Sequence, residues 1–559
     1  MSQKKGKIRR RLFRVLIGTL IILFGLYIVF RAMVVLHPPD IENDGIAQLK
    51  RMQLSGNCFT LNNDWLKKSN SGLWEMYISG KPFERGVKAG ILSRELVQDQ
   101  EAVFIQMIKE MIPNEFYLNF LKYFIAWFNK DLDDYIPLEY QKEIYGISLS
   151  ASPDFDFIGN KYQRILNYHA AHDIGHAVQN LNLVACTSFG AWDGHTSDSS
   201  LIIGRNFDFY AGDDFAKNKI VLFVHPEKGY DFATVTWGGF IGVVSGMNMK
   251  GLTVTINAAK SDIPLGAKTP VSIVARKILQ YASNIDEAFE IAKAYNTFVS
   301  ETFLIGSASD HRAVIIEKSL DTTVLYNPNN NYIIASNHFQ DKAFSETKLN
   351  IENRANETST YRYERVDELL NEFGELDFRN AAGLLRDQKG LGDKDIGMTN
   401  EKSINQFVAH HSVIFKPEER LMWVSTQPYQ LGKYICYDLN KVFTGALSPG
   451  CNNAIIVDSL EIPVDTFLLT KKYTDLLYFK QFVNTTKNNK FNKVSETELK
   501  RFISSNPEYY FTYDKAGDYY QFINNKSKSA EFYNLALEKE ISSKSEREKI
   551  TKKLYDTGN

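Results

Sequence analysis

The sequence predicts an α+β protein built in layers and carried on one N-terminal membrane helix. Three observations predict it. Helical spacing of apolar residues dominates before Ala185, and short alternating or apolar runs divided by Gly, Asn and Asp follow it. A basic N-terminus leads into an uncharged apolar run. Strands in runs with helices grouped between them indicate a layered α+β architecture. At 559 residues, 44% hydrophobic and 23% charged, the chain has room for two or three domains of roughly 100–200 residues each. A core of that size needs no metal or disulfide to fold.

Residues 1–14 form a basic segment, with Lys4, Lys5, Lys7, Arg9, Arg10, Arg11 and Arg14. Residues 15–36 form the anchor. Val15 to Phe30 carries no charge, Arg31 interrupts, and Ala32 to Leu36 continue the run up to Pro38 and Pro39. A spanning helix needs about 20 apolar residues, which the run reaches if Arg31 extends to the headgroups. The basic cluster then stays cytoplasmic and the body lies outside. A cleaved signal peptide is the alternative; the absence of a small-x-small site after the run favours an uncleaved anchor.

Residues 45–185 read as mainly helical, with helices over Glu95–Ile112 and Asn114–Phe128, punctuated by Pro137 and the loop Ser150–Asp154. Residues 186–455 hold the strands: Ser200–Gly204, Ile220–Val224, Phe232–Trp237, Thr253–Ile256, Val314–Glu317, Tyr332–Ala335 and Arg420–Val424. Helices over Pro270–Tyr281 and Ile285–Tyr295 interrupt them. Residues 468–559 are Lys-rich and helical. Within them Asp518–Ala536 has the Tyr and Ala texture of a single tetratricopeptide unit, and a solenoid needs about three. A helical tail packed on the body is the plainer reading, with a protein partner for it left open.

Lys+Arg 65 against Asp+Glu 66 leaves a net charge of −1, which argues against a general nucleic-acid binder. The four cysteines, Cys58, Cys186, Cys436 and Cys451, show no CxxC spacing, so zinc and thioredoxin-like sites are not expected. Nor is a disulfide framework in so long a chain, although Cys436 and Cys451 could pair outside the cytoplasm. His169, His172 and His176 share one helix face and could hold zinc. Lacking a His-Glu-x-x-His motif, they read rather as a polar helix face. His410 and His411 read as strand-edge or core residues. No Walker loop, Gly-x-Ser-x-Gly elbow or dinucleotide fingerprint occurs, and no cofactor or metal is expected.

Three segments carry candidate chemistry. The first is Ala185-Cys186-Thr187-Ser188-Phe189 with Gly204-Arg205-Asn206-Phe207-Asp208-Phe209; the second runs from Gly238 to Ala258; the third is Ser336-Asn337-His338-Phe339, with Arg362 beyond it. A thiol needs a base or a cationic field to become a nucleophile. A cysteine at a chain terminus carries its own base, an α-amino group with a pKa of about 7.7–8.0. Arg205 can supply the field, Asp208 can orient the amine, and Asn257 and Asn337 are amide donors for an oxyanion. Taken singly, each has a plainer reading: inert packing, a salt bridge, a turn.

Cys186-Thr187-Ser188 followed by Gly204-Arg205-Asn206-Phe207-Asp208-Phe209 resembles the start of the mature chain in acid ceramidase and N-acylethanolamine acid amidase. Gly246-Met247-Asn248 to Asn257-Ala258, and Gly80-Lys81-Pro82-Phe83-Glu84-Arg85-Gly86 upstream, are closer to the acyl-CoA:6-aminopenicillanic acid acyltransferase-like family. All are N-terminal-nucleophile hydrolases. The resemblance spans about Gly80 to Val424 and implies a four-layer αββα sandwich, self-cleavage between Ala185 and Cys186, and Cys186 as nucleophile with its freed amine as base. It implies Arg205 beside the thiolate, Asp208 beside the amine, Asn257 and Asn337 at the oxyanion, and Arg362 (Arg365 being its rival) at the start of a helix. One departure is Asn405-Gln406-Phe407-Val408, where the penicillin enzyme has a Ser-Arg pair; it puts penicillin-type substrates in doubt. The Thr187–Gly204 segment reads as a polar loop bordering the mouth of the site.

Three functions stay open. The first is an autoproteolytically activated, membrane-anchored cysteine amidohydrolase acting on an N-acyl amide, with the anchor suggesting a lipid-like acyl chain. The second is an acyltransferase passing the acyl group to an amine. The third is a catalytically silent membrane-tethered scaffold.

Overall fold

A computed structural model describes residues 2–42, 45–177, 184–209, 212–260, 266–444, 455–487, 490–492 and 494–558. It opens with α1 (Ser2–Val34), of which Arg11–Val34 is long and apolar enough to cross a membrane and is not buried in the protein. Strands β1 (Met52–Ser55), β2 (Cys58–Leu61), β3 (Asp64–Lys68) and β4 (Trp74–Gly80) follow. The mainly helical reading of residues 45–185 is therefore corrected over its first quarter. These strands are short and divided by turn residues such as Gly56-Asn57 and Asn62-Asn63, a hairpin signature.

The rest of that segment is helical: α2 (Pro82–Leu92), α3 (Arg94–Met111), α4 (Glu115–Phe128), α5 (Leu138–Ser148) and α6 (Lys161–Ala177). Pro82 opens α2 at its first turn, and the Asn114 side chain caps α4 by accepting from the Tyr117 N–H. Next come β5 (Val184–Asp193), β6 (Ser199–Phe209), β7 (Ile220–Pro226), β8 (Phe232–Thr236), β9 (Ser245–Asn248) and β10 (Leu252–Ala258). Then α7 (Val271–Tyr281), α8 (Ile285–Lys293), β11 (Glu301–Ser307), β12 (Arg312–Lys318), β13 (Thr323–Tyr326) and β14 (Tyr332–Ala335). Helices α9 (Lys342–Ser345), α10 (Lys348–Asn356), α11 (Ser359–Phe373) and α12 (Phe378–Leu385) precede β15 (His411–Lys416), β16 (Leu421–Ser425), β17 (Tyr434–Asp438) and α13 (Leu439–Thr444).

Two sheets result among the described residues. The larger runs β1-β2-β3-β4-β7-β8-β9-β10-β11-β12-β13, and the smaller β14-β5-β6-β15-β16-β17. The segment before β5 joins the larger sheet through β4, which pairs in parallel with β7 from Trp74↔Ile220 to Gly80↔Pro226. Three apolar clusters separate four layers. One, with Val87, Ile144, Ile256 and Leu279, joins α2, α5 and α7 to the larger sheet. A second, with Ile203, Phe223, Leu304 and Val413, fills the space between the sheets. A third, with Ile202, Leu370, Leu385 and Trp423, joins the smaller sheet to α11 and α12.

Helices α14 (Lys471–Thr485), α15 (Glu496–Ser505), α16 (Tyr510–Phe522), α17 (Lys526–Glu538) and α18 (Lys544–Gly558) complete the chain. They enclose a separate aromatic core that includes Phe479, Phe502 and Tyr520. Glu540 ties them to the body through Lys394 and Lys402.

The Thr187–Gly204 segment is not a loop at the site. It is the body of the β5–β6 hairpin, paired from Val184↔Phe209 to Asp193↔Ser199, and its tip lies at the end away from Cys186. Glycines and serines among Phe189, Ala191, Leu201 and Ile203 blur the alternation. The cysteine reading is also corrected: Cys58 is disulfide-bonded and Cys436 is a free, buried thiol, so Cys436 does not pair with Cys451. Cys451 itself lies outside the described residues.

Helices α2 and α5 touch backbone to backbone. A Cβ on Gly146 would meet the Phe83 carbonyl oxygen at 2.5 Å, whereas one on Gly383 in α12 would meet only the Phe373 ring at 3.9 Å. Gly146→Ala should therefore lower the thermal unfolding midpoint, its overpacking cost of about 1–3 kcal/mol outweighing better helix propensity. Gly383→Ala should leave it unchanged or raise it.

Candidate functional site

The β5–β6 pairing builds the site. Directly opposed residues of an antiparallel pair point to one face. Cys186 stands opposite Phe207 and Ser188 opposite Arg205, while Ala185 stands opposite Asp208 and Thr187 opposite Asn206. Strand alternation thus sends Cys186, Ser188, Arg205 and Phe207 toward the larger sheet. Thr187, Asn206 and Asp208 go toward α11 and α12.

Arg205, fully buried, lies across the two sheets. Its Nη1 donates to the Val244 carbonyl at 3.0 Å and to Ser245 Oγ. Its Nη2 donates to the Ile256 carbonyl at 2.6 Å and lies 3.4 Å from Cys186 Sγ. The guanidinium also stacks over the Phe207 ring at 4.3 Å. Burial pushes the Cys186 thiol up to about 11, with Arg205 pulling it down and Asp208 and Glu301 adding to the rise. In the continuous chain the thiol is therefore protonated near neutrality.

The Cys186 peptide is held by side chains on both sides. Its N–H donates to Asn337 Oδ1 at 3.0 Å. Its carbonyl accepts from Arg362 Nη1 at 2.6 Å. The same Nη1 donates to Thr187 Oγ1 at 2.8 Å, and Nη2 donates to Asn337 Oδ1 at 2.6 Å. Asn337 Nδ2 donates to the Ala258 carbonyl at 2.9 Å, which joins the two sheets. Arg365 points elsewhere, to Asp387, Glu368 and Asp393, so of the two arginines Arg362 is the one at Cys186.

Asn257 spans the sheets too: its Oδ1 accepts from Ser188 Oγ at 2.8 Å and its Nδ2 donates to the Ala335 carbonyl at 3.0 Å. Asp208 is buried and neither carboxylate oxygen has a hydrogen-bond partner among the described residues. Burial raises its pKa to about 7 against the opposing fields of Arg362 and Arg205. The sequence therefore brings Cys186, Arg205, Asp208, Asn257, Asn337 and Arg362 together, although the Cys186 N–H is taken by Asn337 and not by Asp208.

Sequence reasoning missed two features. Glu301 in β11 is fully buried with both carboxylate oxygens unpartnered among the described residues. Burial, with Asp173 adding to it, holds its pKa far above the usual carboxylate range. Its signal was a charge opening the apolar run Phe303–Ile305. The second is a buried chain: Ser245 Oγ lies 2.8 Å from His411 Nε2, and His411 Nδ1 lies 2.8 Å from His410 Nδ1. Burial holds both imidazoles well below the usual histidine range, so both are neutral core groups.

His169 bonds the Ile165 carbonyl through Nδ1, and its Nε2 accepts from the Ile241 N–H. Both ring nitrogens are thus occupied by the protein, and burial lowers its pKa to about 4. The side chains of His172 and His176 lie outside the described residues. Asn405–Val408 forms the approach to β15, where Asn405 Oδ1 accepts from the Phe407 N–H.

An aromatic pocket is lined by Phe104, Phe207, Phe209, Phe215, Trp237 and Phe240, with Gln100 and Glu101 at its polar side; Cys186 itself does not line it. Phe207, opposite Cys186 in the ladder, forms part of its wall.

Residues 195–427 match the protein-family model described as acyl-coenzyme A:6-aminopenicillanic acid acyl-transferase. The match covers less than half of the chain and begins after Cys186. Among curated relatives, an "uncharacterized protein" of Archaeoglobus fulgidus is 26% identical over 267 residues, 45% of this chain and 44% of its own length. "Protein dcd1A" of Dictyostelium discoideum is 25% identical over 240 residues, 38% of this chain and 51% of its own. The chain thus spans about half the length of the curated relatives it matches. Among solved structures, a Caenorhabditis elegans N-acylethanolamine-hydrolyzing acid amidase ortholog aligns with a TM-score of 0.31 and 17% identity, over 42% of this chain and 93% of its own. A mutant conjugated bile acid hydrolase of Clostridium perfringens gives 0.31 and 14%, over 46% and 93%.

The raised pKa of Asp208 has a stability consequence. Below its unfolded pKa of about 3.9 the group is protonated in both states and contributes nothing. As pH rises from there, the unfolded chain loses the proton while the folded one keeps it to about 7, so folded stability falls through that window. In an uncut Cys186→Ala background, Asp208→Asn should remove this loss and stabilise the protein by on the order of 4 kcal/mol above pH 7. At pH 4 it should do nothing. Unfolding midpoints across pH check both.

Proposed function

We propose that the protein is an amide hydrolase of the N-terminal-nucleophile type, activated by self-cleavage between Ala185 and Cys186 and held to a membrane by α1. The observation that carries this reading is the Cys186 thiol 3.4 Å from a buried guanidinium, with the flanking peptide pinned by Asn337 and Arg362. The family match and the four-layer arrangement are consistent with it.

In self-cleavage, Cys186 Sγ attacks the Ala185 carbonyl carbon, and its proton passes to the Cys186 nitrogen as the C–N bond breaks. The product is a thioester. Water then releases the Ala185 carboxylate and leaves Cys186 with a free amine and thiol. In turnover that amine takes the thiol proton, the thiolate attacks a substrate amide, and the amine returns the proton to the leaving nitrogen. Water resolves the S-acyl enzyme. Arg205 stabilises the thiolate, Asp208 orients the amine, and Asn257 and Asn337 donate to the oxyanion, which requires each to release the carbonyl it holds, Ala335 for Asn257 and Ala258 for Asn337, or to use its second N–H. Arg362 is a positioning residue for Asn337 and the Cys186 peptide.

The aromatic pocket favours an apolar acyl group, and a lipid-like N-acyl amide suits both pocket and anchor. The disulfide at Cys58 supports a body in an oxidising compartment, as does the basic N-terminus. Transfer of the acyl group to an amine is the second reading, favoured by the acyl-transferase description of the matching family; product analysis with added amines separates the two.

Intact mass and N-terminal sequencing of the purified protein should find a new terminus at Cys186, absent in Cys186→Ala. An uncut parent chain across pH 4–9, active or not, would overturn the maturation step. On matured protein, Trp237→Ala should raise KM for long-chain N-acyl amides about tenfold, for the loss of on the order of 1–2 kcal/mol of apolar contact. KM for the N-acetyl analogue should change little.

A further inference from the structure

Outside α1, exposed large apolar side chains gather on α4 and beside it. None of the fourteen residues of α4 is buried. Phe116 is 84% exposed, and Tyr117, Phe120, Phe124, Trp127 and nearby Phe157 are all exposed. Phe116, Phe120 and Phe124 recur every four residues, so they form one stripe along the helix. Their rings follow one another along it, with Tyr117–Phe120, Phe120–Phe124 and Phe124–Phe128 centroids 6.3, 6.5 and 6.0 Å apart. A stripe of this size facing water marks an interaction surface.

The neighbouring element identifies the occupant. Phe30, near the outer end of the apolar stretch of α1, stacks on Trp127 at 6.0 Å and meets Tyr123 edge-on at 6.0 Å. The end of α1 is also fastened to the body: Gln163 Nε2 donates to the Val34 carbonyl and Asn160 Nδ2 to the Leu36 carbonyl. The C-terminal end of α4 therefore sits at the depth where α1 leaves its apolar stretch. Trp and Tyr gather at that depth in membranes, and the single cation of α4, Lys122, can extend its charge to the headgroups.

We propose that α4 is an interfacial helix, lying in the outer face of the bilayer that α1 crosses with its aromatic stripe among the headgroups and upper acyl chains. The body is then seated on the lipid and not merely tethered above it. Helix α3 supplies Val97, Gln100 and Phe104 to the pocket and runs almost directly into α4, so the pocket is carried next to the lipid. The inference rests on α1 being a membrane anchor, but not on the chemistry at Cys186.

The test uses the full chain in phosphatidylcholine vesicles, with Phe120→Trp as reporter and lipids brominated on the upper acyl chain as quenchers. Phe120 is exposed, so the change should not disturb folding, and unchanged far-UV circular dichroism checks this. The added tryptophan's emission, taken as the difference from the parent protein, should fall at least twofold in brominated vesicles. Phe116→Trp should behave likewise. Protein that floats with the vesicles but shows no added quenching at either position would overturn the inference while leaving the anchor intact. Cross-linking of the stripe to a second copy would overturn it in favour of a protein contact. Protein that fails to float would remove anchor and inference together, and leave the self-cleavage result unaffected.

Discussion

A guanidinium enclosed between two sheets is costly unless nearly every N–H finds an acceptor, and Arg205 sets the terms for the rest of the centre. It belongs to the smaller sheet yet donates to the Ile256 carbonyl of the larger one and to the Val244 carbonyl just before β9. Those bonds fix the spacing and register of the sheets at the end where Cys186 lies. With the register fixed, Ser188 meets Asn257 and Asn337 reaches the Ala258 carbonyl. The sulfur beside Arg205 is placed by the same ladder that places the arginine, so sulfur and cation share one rigid support.

Charges around that support are only partly balanced. Asp208 and Glu301 are enclosed carboxyl groups without hydrogen-bond partners among the described residues, and burial above all, with these two adding to it, keeps the thiol protonated. Buried groups held far from their ordinary pKa cluster where chemistry occurs. Under the proposed self-cleavage, a centre with a protonated thiol and a peptide pinned on both sides of Cys186 would be the precursor's, with the base that arms the sulfur still an amide in the backbone.

Much of this is legible in the sequence, because the relevant signals are local. The alternation over Tyr332–Ala335 marks the observed bounds, and the pattern over Asn114–Phe128 errs only in counting its cap as helix. The polar residues at Cys186, Arg205, Asp208, Asn257, Asn337 and Arg362 are each recognisable by type, and the fold brings them together. What stays hidden depends on pairing across long separations. Strands β1–β4 are short, β1 is exposed throughout, and β2–β4 are covered by α2, so their alternation is weak. The β5–β6 hairpin looks like a polar loop because Thr187 and Ser188 are polar yet buried, and its tip from Gly194 to Ser200 is polar and largely exposed. Glu301 escapes notice since a single charge at a strand end reads as solvent-facing until the neighbouring helices are in place.

The parallel pairing of β4 with β7 has a consequence for the chain as a material object. Strands β2–β4 and helices α2, α3, α5 and α6, all before residue 185, share one core with the larger sheet, so a break between Ala185 and Cys186 would leave both pieces interlocked. Their separation would expose the edges of β4 and β7 along seven residue pairs and strip the helices from the larger sheet. Once unfolded, however, the two pieces would have to find each other by diffusion, and recovery would become second order in concentration. Folding would then be a one-time event, completed before the cut and not readily repeated after it.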